Sequence, residues 1–175
     1  PNQLGISPEV NTLPDLLRSG GYATHHIGKW HLGAATPLAW PLQQGFDSFF
    51  GFLSQFLLRG PHTASQWTYG PPTYIDPWLQ VDNGELRQQS GHLSELMISE
   101  VERFLDAKQG EGTPWFLNFW TYAPHDPIQP MPKFAQRYAD TPEGKYLAFI
   151  EQLDATVGRV VDGLHRNGLA ENTIL

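Results

Sequence analysis

The sequence predicts an α/β domain, a sheet whose strands are joined by helical crossovers. Three observations carry that expectation. Helical and strand-like segments alternate as helix, strand, helix, strand, helix, strand along the 175 residues, the order that buries a sheet beneath helices. "PWFLNFWTY" is a mostly apolar run of strand length, suited to a sheet buried on both sides. The two clearest strand candidates both run into histidine-bearing segments, and in such sheets ligands sit at the carboxyl ends of the strands.

The elements follow in order. "TLPDLLRSGG" predicts a short helix, with Thr12 as its cap, Asp15 three residues on as in a capping box, and Gly20-Gly21 as its end. "YATHHIGKW" alternates in strand fashion, with Gly28 and Gly33 releasing the chain afterwards. Residues 34–90 are aromatic, punctuated by Pro and Gly and weakly periodic, which predicts long loops with at most a small hairpin. Within them, "VDNGEL" at 81–86 offers Asp82 and Asn83 as oxygen ligands for a hard cation. Asn-Gly between strand-like flanks is a strong hairpin-turn signal, however, so a turn is the expectation.

In "HLSELMISEVERFLDAKQ", Leu93, Leu96, Met97, Val101, Phe104 and Leu105 fall on one helical face. "KYLAFIEQLDATVGRVVDGLHRNG" predicts a long amphipathic helix with the stripe Phe149, Ile150, Leu153, Val157, Val160, Val161 and Leu164. Thr141-Pro142-Glu143 suits its start and Gly168 a left-handed C-terminal cap. "ENTIL" resembles the opening of one more strand.

Composition is globular, with 40% hydrophobic and 13% aromatic residues. A net charge of −7, with no two Lys or Arg adjacent, argues against nucleic acid, which is bound by basic stripes. No apolar run approaches the roughly 20 residues that span a bilayer. Without cysteine, these residues hold no disulfide, thiolate zinc site or thiol nucleophile. A missing signal peptide means little in a chain that opens on Pro1.

Cations and imidazoles concentrate in "GGYATHHIGKWHLG", residues 20–33. Alternate residues of an extended segment share a face, so His25, Ile27, Lys29 and His31 are expected on one side and His26, Gly28 and Trp30 on the other. Lys29 and His31 then stand together at the strand's end, a fixed cation beside a titratable donor. Such a pair can stabilise negative charge on transferring oxygens and move a proton. It can also be a rim lysine beside a turn-capping histidine. His125 sits in "APHDP", where Pro124 and Pro127 stiffen the loop at the sheet's carboxyl edge; a solvated turn histidine is the plainer reading.

Zinc is not expected, because adjacent histidines on a strand diverge and no carboxylate in the segment completes a tetrahedron. His62, His92 and His165 stand alone and suit surface or satisfied-core roles. Phe46, Phe49, Phe50, Phe52, Trp67, Tyr69, Tyr74 and Trp78 could stack on a sugar or aryl group, although packing beneath long loops is the commoner use.

"GYATHHIGKWHLG" resembles the second signature of the sulfatases, a glycine-tyrosine-x-threonine stretch leading into Gly-Lys-Trp-His-Leu-Gly, with near-complete agreement from Gly21 to Gly33. "TLPDLLRSGGY" resembles the helix before that signature and "GFDSFFGF" the segment after it. "PWFLNFWTYAPHDPIQP" resembles the family's later strand and histidine loop, and "YLAFIEQLDATVGRVVDGLHRNGLAENTIL" the helix leading to a further strand. Sulfatases belong to the alkaline phosphatase superfamily. The resemblance thus implies an alkaline-phosphatase-like α/β sheet with helices on both faces, incomplete in this chain. Residues 1–175 would be the central part of a single sulfatase catalytic domain, with the N-terminal nucleophile and metal segment and the C-terminal part missing.

The family hydrolyses sulfate esters with a formylglycine made from cysteine, or in some bacteria serine, beside a calcium ion. By resemblance, Lys29 would contact the sulfate and the formylglycine. His31 would hydrogen-bond the formylglycine hydroxyl and help eliminate sulfate. His125 would contact sulfate and help protonate the leaving alcohol. The substrate implied is a small-molecule or carbohydrate sulfate ester, in a periplasmic, secreted or lysosomal setting.

Departures from the pattern are equally plain. The Cys/Ser-x-Pro/Ala-x-Arg nucleophile motif and the family's paired aspartates are absent from these residues, and "VDNGEL" lies before the helix at 92 rather than after the strand at 172. Calcium is thus expected with ligands outside this chain. "FLSQFLLRGPHT" is more apolar than the stretch common there. A phosphoester or phosphonate hydrolase of the same superfamily, or an inactive relative that binds sulfated glycans, are the alternatives.

Overall fold

The computed structural model describes residues 5–60 and 72–175. His62, Trp67 and Tyr69 lie outside the described residues. The first helix, α1 (Leu13–Ser19), starts as its sequence requires: Thr12 Oγ1 accepts the Asp15 N–H, the Asp15 carboxylate accepts the Thr12 N–H, and Gly20 caps the end. Strand β1 (Ala23–Lys29) follows. After two short 3-10 turns comes β2 (Ser48–Phe52), then a hairpin of β3 (Trp78–Val81) and β4 (Arg87–Gln88). Helix α2 (Leu93–Lys108), strand β5 (Trp115–Trp120), the single turn α3 (Pro132–Ala135) and the long α4 (Pro142–Arg166) complete the order.

The five strands form one sheet in the order β4-β3-β2-β1-β5. β1 runs parallel to both β2 and β5, with Gly28 opposite Gly51 on one side and Trp120 on the other. β3 pairs antiparallel with β2. The α/β architecture is therefore as expected, but β2 corrects the reading of 34–90 as loops with at most a hairpin. "SFFGF" shows little alternation because its side chains are largely covered on both faces: Phe49 and Phe52 are 2% and 0% exposed.

The two faces of β1 separate as alternation predicts. Ile27 joins a core formed with α2, α4 and the aromatics of the loops, including Phe52, Tyr74, Val101, Tyr122 and Phe149. His25 lies on that side, its ring 4.6 Å from Phe104. Trp30 turns to a second core with Phe46, Phe49 and Leu53, on which Phe116 and the residues of the 3-10 turns pack. Gly28 does not release the chain after the strand; it lies within β1 at φ +119, and a Cβ there would stand 1.9 Å from the Trp120 carbonyl oxygen. That close approach of three strands is what only glycine permits.

The Asn-Gly turn forms. Trp78 pairs with Gln88 across it, Asp82 takes the left-handed conformation (φ 51), and its Oδ1 accepts the Phe49 N–H at 2.8 Å. Asp82 is thereby engaged in fastening the hairpin to β2.

Three expectations need correction. β5 is half-buried rather than covered on both faces, because it is the edge strand of the described sheet. In α4 the buried face runs through Ala148, Phe149, Gln152, Thr156, Gly163 and Leu164, leaving Ile150 and Val157 38% and 48% exposed. Polar residues sit in that face because their groups are satisfied: Gln152 accepts the Met131 N–H and donates to Ser94 Oγ, and Thr156 Oγ1 donates to the Gln152 carbonyl. "ENTIL" forms no strand; Ala170–Asn172 is a 3-10 turn and Ile174 is fully exposed. The expected caps of α4 are present, with Thr141 Oγ1 accepting the Gly144 N–H and Gly168 at φ +67. Arg159 of α4 binds Glu95 and Glu102 of α2 at 2.6 Å each, joining the two helices.

Candidate active site

Parallel pairing places the carboxyl ends of β1 and β5 side by side, and Lys29 and His125 meet there on one tyrosine ring, with His31 two residues along the chain from Lys29. Lys29 closes β1, and Gly28 opposite Trp120 sets Tyr122 two residues beyond the end of β5. The Lys29 ammonium lies 5.1 Å from the centroid of the Tyr122 ring, within cation–π range. The His125 ring stacks on the same Tyr122 at 4.6 Å and 22°. His31 follows Lys29 after one residue, and the charges of both Lys29 and His125 act on it.

His31 reaches this cluster by a different route from simple alternation. β1 ends at Lys29, while the Trp30 and His31 amides continue the ladder by donating to the Phe52 and Leu53 carbonyls at 3.0 Å. His31 then adopts φ 59, turning the chain out of the sheet. Its side chain is exposed, as is that of His125.

Backbone and ring contacts hold the His125 loop. The His125 N–H donates to the Tyr122 carbonyl at 2.9 Å, and the Tyr74 hydroxyl donates to the His125 carbonyl at 3.0 Å. His125 Nδ1 is 2.8 Å from the Asp126 carbonyl oxygen. A carbonyl only accepts, so Nδ1 carries the proton and Nε2 is the free ring nitrogen. The Ala123-Pro124 and Asp126-Pro127 bonds are both cis. Behind the loop, Tyr74 stacks on Tyr122 at 5.0 Å, its N–H donates to Gln129 Oε1, and His92 Nε2 donates to the Gln129 carbonyl at 2.8 Å. His92 also caps α2, its Nδ1 accepting the Ser94 N–H. His92 is thus the satisfied histidine expected of it, and His165 is exposed.

The electrostatics of the cluster follow from this packing. Partial burial lowers the Lys29 pKa. Burial, then the positive charges of Lys29 and His125, lower that of His31, which favours its neutral form. Burial, with Asp126 nearby, pushes the Tyr122 hydroxyl up to about 12, so it remains a donor, and it gives its proton to the Asp126 carbonyl at 2.7 Å.

The other histidines of the signature segment part company. His26 is fully buried among Trp30, Phe46, Phe49 and Trp120, with ring centroids 5.1–5.5 Å away. His25 Nδ1 lies 2.5 Å from Ser48 Oγ on the opposite face. Among the described residues no three histidine, aspartate or glutamate side chains come together as a metal-binding group.

Sequence reasoning missed Tyr122 and placed Tyr74 only among aromatics that pack beneath loops. Tyr74 is indeed buried, as are Phe46, Phe49 and Phe52. The available signal for Tyr122 was its position, an aromatic three residues before His125 in a proline-flanked turn.

The chain is similar to known proteins along nearly its whole length. The sulfatase family model matches residues 4–175. N-acetylgalactosamine-6-sulfatase of Rattus norvegicus is 29% identical over 98% of this chain and 32% of its own length. Arylsulfatase J of Mus musculus is 30% identical over 100% of this chain and 29% of its own. The chain thus spans about a third of the length of the curated relatives it matches. Among solved structures, Ps i-CgsB in complex with k-i-k-neocarrahexaose superposes with a TM-score of 0.78 at 23% identity, covering 99% of this chain and 40% of that one. That likeness shows the fold, which is part of an alkaline-phosphatase-like α/β sheet. No described helix is long and apolar enough to cross a membrane. With the family model covering nearly its whole length, this chain belongs to the sulfatase family.

Proposed function

We propose that the protein containing these residues hydrolyses a sulfate ester of a carbohydrate or small molecule, and that the chain is the central part of its catalytic domain. The observation that carries this reading is the convergence of Lys29 and His125 on the Tyr122 ring at the joined carboxyl ends of β1 and β5, with His31 just beyond Lys29. An ammonium and two imidazoles at one edge of the sheet suit a tetrahedral, oxygen-rich anion. The nucleophile, a formylglycine by the family's pattern, and a divalent metal, calcium by the same pattern, belong to parts of the protein outside these residues.

The roles divide by chemistry. Lys29 sets its positive charge against the sulfate oxygens, where charge accumulates as the ester bond breaks. His31, held toward its neutral form by burial and by Lys29, would hydrogen-bond the formylglycine hydroxyl and take its proton as sulfate is eliminated. His125 keeps its Nδ1–H on the Asp126 carbonyl; as the imidazolium it also carries a proton on Nε2, which passes to the departing alcohol oxygen and leaves the neutral ring. Names of relatives favour amino-sugar or aryl sulfates.

The test is turnover by the full-length protein on a panel of sugar and aryl sulfates beside the matching phosphates. Sulfate release with little phosphate release is expected. Preferential phosphate release would replace the reading with a phosphoester hydrolase, and tight binding without turnover would replace it with a sulfated-glycan binder.

A further inference from the structure

We infer that Tyr122 is a positioning residue for the proposed sulfatase reaction: its ring is a shared platform for Lys29 and His125. The inference rests on the function proposed above. Lys29 sits 5.1 Å from the ring centroid and the His125 ring stacks on it at 4.6 Å and 22°. The ring itself is fixed. It is 5% exposed, stacked with Tyr74 at 5.0 Å, met edge-on by Phe52 at 85°, and its hydroxyl is held by the Asp126 carbonyl.

This placement answers an electrostatic problem. A site that neutralises one sulfate with both an ammonium and an imidazolium must hold two cations close together before the anion arrives. Their repulsion works against that arrangement. The negative face of an aromatic ring attracts both, and it does so without adding a carboxylate that would repel the substrate. An aliphatic side chain of equal volume would fill the same space and offer neither cation anything.

The charged and titratable groups facing the ring come from every neighbouring element. They are Lys29 from β1, His125 and Asp126 from the loop beyond β5, and Tyr74 before β3, while His31, just after β1, feels the charges of Lys29 and His125. Asp126 is the only acid among them. It is exposed, and its backbone carbonyl is the group that holds His125 and Tyr122.

The test separates ring shape from ring charge in the full-length protein. Tyr122→Phe keeps the π face and loses only the hydroxyl. Replacing Tyr122 by pentafluorophenylalanine keeps the shape and cancels the negative face. The Phe variant, which keeps the π face and lacks only the hydroxyl's bond to the Asp126 carbonyl, is the reference for kcat/KM on a sugar sulfate and for the inhibition constant of inorganic sulfate. The fluorinated variant is expected to lose about tenfold in both, the scale of a partly buried cation–π contact, with a melting temperature equal to that of the Phe variant. In a Lys29→Met background the fluorination effect should shrink by more than half.

Equal sulfate affinity in the Phe and fluorinated variants would overturn the platform, as would a Tyr122→Phe loss as large as that of the fluorinated variant. If the wild type turns over no sulfate ester, the sulfatase reading fails separately, and sulfate affinity of the two variants still decides the role of the ring. Absence of sulfate binding in the wild type would overturn both.

Discussion

Acidification should destabilise this domain through one histidine in particular. His26 is 0% exposed and enclosed by four aromatic rings, and burial lowers its pKa from 6.5 to about 4. Its Nε2–H donates to the Lys29 carbonyl at 3.3 Å, and its Nδ1 accepts from Asn118 Nδ2 at 3.0 Å. A proton arriving at Nδ1 would face that N–H and have no water to spread its charge. Because the folded-state value is depressed, the stability concerned is complete above pH 6.5 and is lost as pH falls from 6.5 toward 4. The gap between 6.5 and about 4, at about 1.4 kcal/mol per pH unit, amounts to roughly 3 kcal/mol. Urea unfolding of the full-length protein at pH 7 and pH 4, compared with His26→Gln, isolates this contribution from the carboxylates that titrate in both. The wild type should lose about 3 kcal/mol more than the variant over that interval. Parallel losses in the two proteins would refute the reasoning.

Two further outcomes follow from the site and the hairpin. His125→Ala should lower kcat on a sugar sulfate by roughly 10²–10⁴-fold, the scale of general-acid help to a basic leaving oxygen, and much less on nitrophenyl sulfate; equal losses would restrict His125 to sulfate binding. Asp82→Ala should leave metal content and activity of the full-length protein nearly unchanged, while lowering stability by about 1–3 kcal/mol because the Phe49 N–H loses its partner. Loss of metal in that variant, read by elemental analysis, would contradict the turn role.

Much of this fold was legible where local chemistry decides structure. The Thr12–Asp15 capping box, the Thr141 cap, the left-handed Gly168 and the Asn-Gly hairpin all form, since each depends on a few neighbouring residues. β2 was not legible, because a short central strand has neither length nor alternation, and Gly51 interrupts its apolar run for a reason visible only across strands: a Cβ there would meet the Gly28 carbonyl at 2.0 Å. The α4 stripe was misplaced for a related reason. Gln152 and Thr156 look like surface residues until the Met131 amide and Ser94 hydroxyl that occupy Gln152 are seen. Of the site, Lys29, His31 and His125 could be singled out by residue type and position. The ring that joins two of them could not, since Tyr122 comes to Lys29 only through the pairing of β1 with β5.

The central claim is that Lys29, His31 and His125 act together on one sulfate ester. Its most direct measurement is kcat on a sugar sulfate for Lys29→Ala and His31→Ala in the full-length protein, with melting temperatures recorded alongside. Both side chains are at least partly exposed at the sheet's edge, so folding should survive, while each substitution should lower turnover at least about a hundredfold, the scale for removing one preorganised charge-stabilising group. Turnover within about threefold of wild type in either variant would contradict the account.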